Sequence, residues 1–178
     1  MEINLAERRC IDILVDQDKN IVLFPYGKST EPIDYPPGVD KENAPKFFFS
    51  AAEYPIELNF PFSEQLLADN IEFAFEEWGK HKCYPESKKF EVEYYGIKGF
   101  KNAMKGKRYI TVSYDVYSGI RVRLYLPRKA GYSYYELANT KLPEDANWID
   151  FAKAVLHYIN IDVSTLDTFR TFKRELNI

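Results

Sequence analysis

Apolar and polar residues alternate at period two in several short runs of this chain and at period 3.6 in three longer ones. Arg8 to Val15 (RRCIDILV) and Ile21 to Tyr26 (IVLFPY) read as strands on either side of the polar connection DQDKN, as a hairpin would; a first helix from Leu5 competes for the same stretch. Residues 27–45, with four prolines and two glycines, resist both regular structures and predict a long surface loop. KFFFSAA and IELNF predict two more strands, the second with Ile56, Leu58 and Phe60 on one side. KFEVEYYGI, Lys89 to Ile97, alternates cleanly and predicts another. RYITVSYDV and IRVRLYLP form the most convincing hairpin, joined at YSG, with Ile110, Val112, Tyr114 and Val116 sharing a buried face with Ile120, Val122, Leu124 and Leu126. Thr111, Ser113, Asp115, Arg121, Arg123 and Tyr125 then fall on a face expected to be wet.

The longer periods predict helices. Around NIEFAFEEW the first six residues alternate like a strand, yet at 100° per residue Leu67, Ile71, Ala74 and Trp78 lie within about 60° of one another, an apolar stripe. Ser63 suits the N-cap and Gly79 with Lys80, His81 and Lys82 suits the C-terminus, so the helix runs from Ser63 to Lys80. LPEDANWIDFAKAVLHYIN predicts a second, striped by Trp148, Ala152, Val155 and Ile159. STLDTFRTFKREL predicts a third, opened by a Ser164 to Asp167 capping pair. The expectation is one α+β domain over residues 1–178, a mainly antiparallel sheet with about three helices.

Composition narrows the functional classes. Residues 31 to 77 hold eleven acids against two lysines, a balance of −9, and residues 78 to 132 hold thirteen bases against four acids, +9, behind a net charge of only −3. Early charges exclude a signal peptide and no run is long enough for a membrane span, so a cytoplasmic chain is expected, with Cys10 and Cys83 as reduced thiols.

Metal chemistry has little to work with. Only His81 and His157 are present, and Glu77 with His81, one turn apart, lack a third ligand. Gly106-Lys107 resembles part of a phosphate loop, but Arg108 stands where Ser or Thr should hold magnesium. No cofactor, metal or catalytic constellation is expected, and an enzyme of unrecognised family would need residues assembled only in space. Lys98, Lys101, Lys105, Lys107 and Arg108, with Phe100 and Tyr109 among them and Arg121 and Arg123 beyond, form the basic-plus-aromatic pattern that grips phosphate and stacks bases. The competing expectation is a solvated loop, with Glu91 and Glu93 neutralising the two strand arginines.

The acidic helix carries one anomaly. Phe73 and Leu66 lie about 240° and 260° around the wheel from Leu67, beside the carboxylates and away from the apolar stripe. Burial of Phe73 on a second side is the first expectation, since large apolar side chains are usually inside. Exposure would instead give an anchor ringed by Asp69, Glu72, Glu76 and Glu77, suited to a cationic protein. A small aromatic-rich α+β domain without catalytic signature and with an acidic segment such as NIEFAFEEW resembles the bacterial immunity proteins that neutralise contact-dependent and other toxins. The resemblance implies stoichiometric binding of a cognate toxin, often a basic nuclease, by occlusion; nucleic-acid binding through residues 98–108 is the alternative.

Overall fold

In the computed structural model, residues 9–29, 37–38, 49–85, 89–115 and 117–178 are described. Strands β1 (Arg9–Val15) and β2 (Ile21–Lys28) form the expected antiparallel hairpin, with Ile13 opposite Leu23. The 49–58 run pairs with β2 twice: β3 (Phe49–Ala51) against its C-terminal half and β4 (Ile56–Leu58) against its N-terminal half. Gly27 and Lys28 belong to β2, and most of the proline-rich stretch lies outside the described residues. Helix α1 (Glu64–Glu76) follows, then α2 (Phe90–Tyr95) and α3 (Phe100–Ala103). Strands β5 (Arg108–Asp115), β6 (Gly119–Pro127) and β7 (Tyr134–Leu142) complete a sheet ordered β3-β2-β1-β5-β6-β7, with β4 also on β2. Helices α4 (Trp148–Asn160) and α5 (Asp167–Phe172) close the chain. The strand pairs are antiparallel, and the whole is a single α+β domain.

Period-two alternation sends each strand's side chains to two different cores. Ile11 and Ile13 of β1, Ile21 and Leu23 of β2, Ile110 and Val112 of β5 and Val122 and Leu124 of β6 face the two long helices. The Ser63 hydroxyl accepts from the Leu66 amide at 3.1 Å, the expected N-cap, and α1 buries Leu67, Ala68, Ile71, Ala74 and Phe75 against α4 and the sheet. Helix α4 starts at a capping box in which the Asn147 side chain accepts from Asp150 N and Asp150 accepts from Asn147 N. Phe75 then packs within 6.3 Å of Tyr114, Trp148 and Phe151. Each such buried ring contributes roughly 1.5–3 kcal/mol through area alone.

The other face of the sheet is wet only in part: Asp115, Arg121, Arg123 and Tyr125 are half-exposed, while Thr111 and Ser113 are buried. Leu14, Val22 and Phe24 point there and are covered by Phe90 and Tyr94 of α2 and by Phe100 and Met104 at α3. This corrects the reading of Lys89 to Ile97 as a strand. The segment crosses above β1, β2 and β5, each already paired along both edges, so its own backbone groups must be satisfied locally and a helical turn does so. Helical spacing also places Phe90 and Tyr94, four apart, on Phe24 at 5.0 and 5.2 Å between ring centroids. Gly96 ends α2 in the left-handed conformation, φ 61°.

Two further readings change. Strand β7 was not anticipated; its pairing with β6 carries a register shift at Leu124/Tyr125. The last predicted helix is broken into a 3₁₀ turn at Val163–Thr165, α5 and a second 3₁₀ turn at Lys173–Glu175, and the amide of Ser164 bonds to Asp162 instead of Ser164 pairing with Asp167. Contacts to β7 hold these pieces: Thr168 donates to the Leu137 carbonyl at 2.6 Å and Phe172 stacks on Tyr135 at 4.3 Å. Neither Cys10 nor Cys83 is in a disulfide, in keeping with the expected thiols; Cys83 is buried and Cys10 half-buried. No helix among the described residues is long and apolar enough to cross a membrane.

Candidate functional site

Helix α1 presents to solvent the residues diametrically opposite its buried stripe. Leu66, Asp69, Phe73 and Glu76, at spacings of three, four and three, share that outward face. Phe73 is 40% exposed and Leu66 44%, so the expectation that Phe73 is buried gives way to the other reading. The reason is geometric: Ile71, Ala74 and Phe75 already fill the inward arc, and among the described residues no second layer packs on the far side. At 1.5 Å per residue the two apolar side chains are about 10 Å apart, two turns along one line. Asp69 and Glu76 flank that line, both exposed, with Asp69 accepting from Gln65 at 2.7 Å.

The other two predicted acids are placed differently. Glu72 is half-buried. Glu77 belongs to the turn that ends α1, where it accepts from Lys80 at 2.9 Å and lies 2.6 Å from His81 Nε2; these hydrogen bonds hold its carboxyl below the usual range. His81 in turn stacks on Tyr54 at 4.0 Å and 7°. The turn returns close to β2: a Cβ on Gly27 would come within 2.6 Å of the His81 carbonyl oxygen. Glu77 therefore fastens the end of α1 to the sheet and contributes less to the outward surface than sequence spacing implies.

The basic set is divided more sharply. Lys98, Lys101 and Lys105 are exposed around α3. Lys107 lies over the Tyr95 ring at 4.4 Å. The Arg108 guanidinium donates to three carbonyls at the end of α4, those of Tyr158, Ile159 and Ile161, at 2.7, 3.2 and 3.0 Å. It is a helix C-cap supplied from a strand, engaged where phosphate binding would need it free. Arg121 donates to the Ser118 carbonyl and to Asn139, and Arg123 lies 3.8 Å from Glu136. Glu91 and Glu93 are on α2 and cannot be their strand neighbours, so that expected pairing is replaced by partners on β7 and at the β5–β6 turn. Phe100 is 1% exposed and Tyr109 stacks inside the second core, which removes both from any base-stacking surface.

Acidic α1 and the lysines of α3 lie on opposite sides of the sheet, since α1 packs on one core and Phe100 of α3 on the other. A cleft of about 600 Å³ runs between the end of β7 and α4, lined by Thr140, Asp145, Asp150, Lys153 and His157 among others. Its charges are mixed, and Asp150 is committed to the N-cap. Among the described residues no three His, Cys, Asp or Glu side chains gather as metal ligands.

One polar group of residues was missed altogether. Asp12, in the middle of β1, and Glu91, on α2, are buried beneath α2 with Tyr109 and Tyr134 as partners. The signal available was an acid inside the apolar run CIDILV.

No protein-family model and no curated protein sequence matches this chain. Solved structures do resemble it in fold. A protein of unknown function from Neisseria meningitidis superposes with a TM-score of 0.51 at 7% identity, over 88% of this chain and 96% of the other. A chain of a CdiA-CT/CdiI toxin and immunity complex from Yersinia pseudotuberculosis superposes with a TM-score of 0.53 at 9% identity, over 86% and 96%. At these identities the shared property is the fold.

Proposed function

We propose that this chain is a non-catalytic binding protein of the immunity type, which captures a cognate protein toxin on the outward face of α1 and occludes it. The observation that carries the reading is the exposed pair Leu66 and Phe73 held between Asp69 and Glu76. Apolar side chains at the centre of a contact supply most of the binding energy, while a ring of like charge selects and steers an oppositely charged partner. The fold shared with a chain of a toxin and immunity complex supports the class of partner. The partner is a basic protein, in keeping with the carboxylates, and nuclease toxins are the kind that presents such a surface. Action within the cytoplasm of a bacterium that uses contact-dependent growth inhibition completes the proposal.

The test is binding to the C-terminal fragment of a large toxin encoded beside this chain. Co-purification at one-to-one stoichiometry is expected, with inhibition of the toxin's activity. Phe73→Ala should weaken capture by about 30-fold or more, as hot-spot truncations do. Asp69→Lys with Glu76→Lys should slow association and flatten its dependence on salt. If the three changes leave affinity and salt dependence as they were, α1 is not the docking surface.

A further inference from the structure

Two carboxylic acids are enclosed between α2 and the sheet. Asp12 is 3% exposed, and its Oδ1 accepts from the Tyr109 hydroxyl at 2.7 Å and the Tyr26 hydroxyl at 3.4 Å. Glu91 is 2% exposed; its Oε1 accepts from the Tyr134 hydroxyl, while its Oε2 is buried without a partner. The rings of Tyr109 and Tyr134 stack at 4.5 Å, so each acid is bonded to one member of a single phenol pair.

The groups nearest them are mostly neutral, and charge enters at the rim of α2, where Glu57 of β4 accepts from Tyr94 at 2.6 Å, Lys107 lies over Tyr95 and Asp16 acts on the same ring. Around Asp12 stand Tyr26 from β2, Tyr109 from β5, Cys10 on its own strand and Glu91 from α2. Around Glu91 stand Tyr134 from β7, Tyr95 from its own helix, and Lys89, which is exposed at the helix start. Burial pushes the Asp12 carboxyl up to about 7, and the Glu91 carboxyl rises for the same reason.

We propose that α2 is a proton-dependent latch: it closes on the second face of the sheet while Asp12 and Glu91 are protonated and opens as they ionise. Two negative charges in one dry enclosure repel each other and lack the hydration they would have in water. Helix α2 has six residues, too few to persist without the packing that seats it. It is followed by Gly96 at φ 61° and Gly99 at φ 85°, backbone positions that other residues would adopt only with strain. Ionised Glu91 can reach water beside Lys89 if α2 turns outward, which carries Phe90 and Tyr94 away from Phe24. The released protons go to solvent.

Hydrogen exchange of the full chain between pH 6 and 8, corrected for intrinsic rates, tests the latch. Protection of the α2 amides should fall by roughly tenfold per pH unit for each proton released, while β5 and β6 keep theirs. Glu91→Gln, which retains an acceptor for Tyr134 without an ionisable group, leaves only Asp12 to ionise and should make the loss of protection less steep. A wild-type α2 with constant protection, or a Glu91→Gln variant that opens as the wild type does, overturns the proposal. Should that variant not fold, the carboxyl carbon resonances of the wild-type chain decide: a midpoint near 7 for Asp12 with Glu91 also raised above an ordinary glutamate supports the latch, and an ordinary carboxylate midpoint for either refutes it.

Discussion

The two faces of one sheet are covered by opposite strategies. On the first, two thirteen-residue helices with side-chain-capped starts bring Leu67, Ile71, Phe75, Phe151 and Val155 onto aliphatic strand residues, and the core there is almost wholly apolar. On the second, a six-residue and a four-residue helix seat aromatic rings over tyrosines and two buried acids. Long helices bring their own hydrogen bonds and a wide stripe, so the first face needs only area. Short helices bring little of either, so the second depends on ring contacts and hydroxyl-to-carboxyl bonds, and it becomes sensitive to protons as well as to packing.

The largest effect that exposes this difference is expected from Phe75→Ala. Phe75 is fully buried among Tyr114, Trp148 and Phe151, and its removal leaves a cavity that rigid neighbours cannot close, at a cost of about 3–5 kcal/mol in urea denaturation. The loss should be equal at pH 5 and pH 8, because nothing ionisable is disturbed. A pH-dependent loss would mean that the two cores are not independent.

The second face should instead respond to pH. In the unfolded chain Asp12 titrates near 3.8, whereas in the folded chain it holds its proton up to about 7. The folded state therefore binds more protons between those values. Stability from this group is greatest in acid and is lost progressively as pH rises from about 4 to about 7, by a few kcal/mol in all. Most folded proteins lose stability on acidification, so the opposite slope is diagnostic. Asp12→Asn should flatten it, measured by denaturant midpoints at pH 5 and 8. An unchanged slope in that variant would show that another group carries the linkage.

How legible each face was follows from the same contrast. The first was readable because its signals are periodic: the stripe Leu67, Ile71, Ala74 specified a helix even through the strand-like alternation of NIEFAF, and the β5–β6 register followed from Ile110 and Val112 meeting Leu124 and Val122. The second was not, because FEVEYY satisfies a strand template over six residues and only the tertiary position of the segment, above strands already paired, selects a helix. Strand β7 escaped notice because YYELANTKL mixes exposed and half-buried positions without a clean period. At the candidate surface, the spacing identified Phe73 and its acids but could not say which side of α1 would be covered. Spacing also brought Glu77 to His81, one turn apart, but as a candidate metal pair and not as the hydrogen-bonded end of α1.

Arg108 gives an intermediate effect and links sheet to helix. Its guanidinium donates to three carbonyls at the end of α4, groups that would otherwise lack intrahelical partners. Arg108→Ala should cost about 1–3 kcal/mol and raise hydrogen exchange in the last turn of α4. Arg108→Lys should recover only part, since all three bonds come from Nη1 and the lysine ammonium ends one atom short of that position. Full recovery by lysine would reduce the role to charge alone.

The smallest expected effects separate the lysines from one another. Lys107 lies 4.4 Å over Tyr95 and braces the rim of the second core, so Lys107→Ala should cost about 0.5–1 kcal/mol. Lys98, Lys101 and Lys105 are exposed around α3, and replacing all three by alanine should change stability by less than about 0.5 kcal/mol. The triple variant is also the direct trial of the nucleic-acid alternative. If a single-stranded oligonucleotide binds the wild-type chain at low salt and the triple variant loses that binding, the basic side is a polyanion surface in its own right. If neither binds, the lysines around α3 are a solvated surface and the nucleic-acid alternative falls.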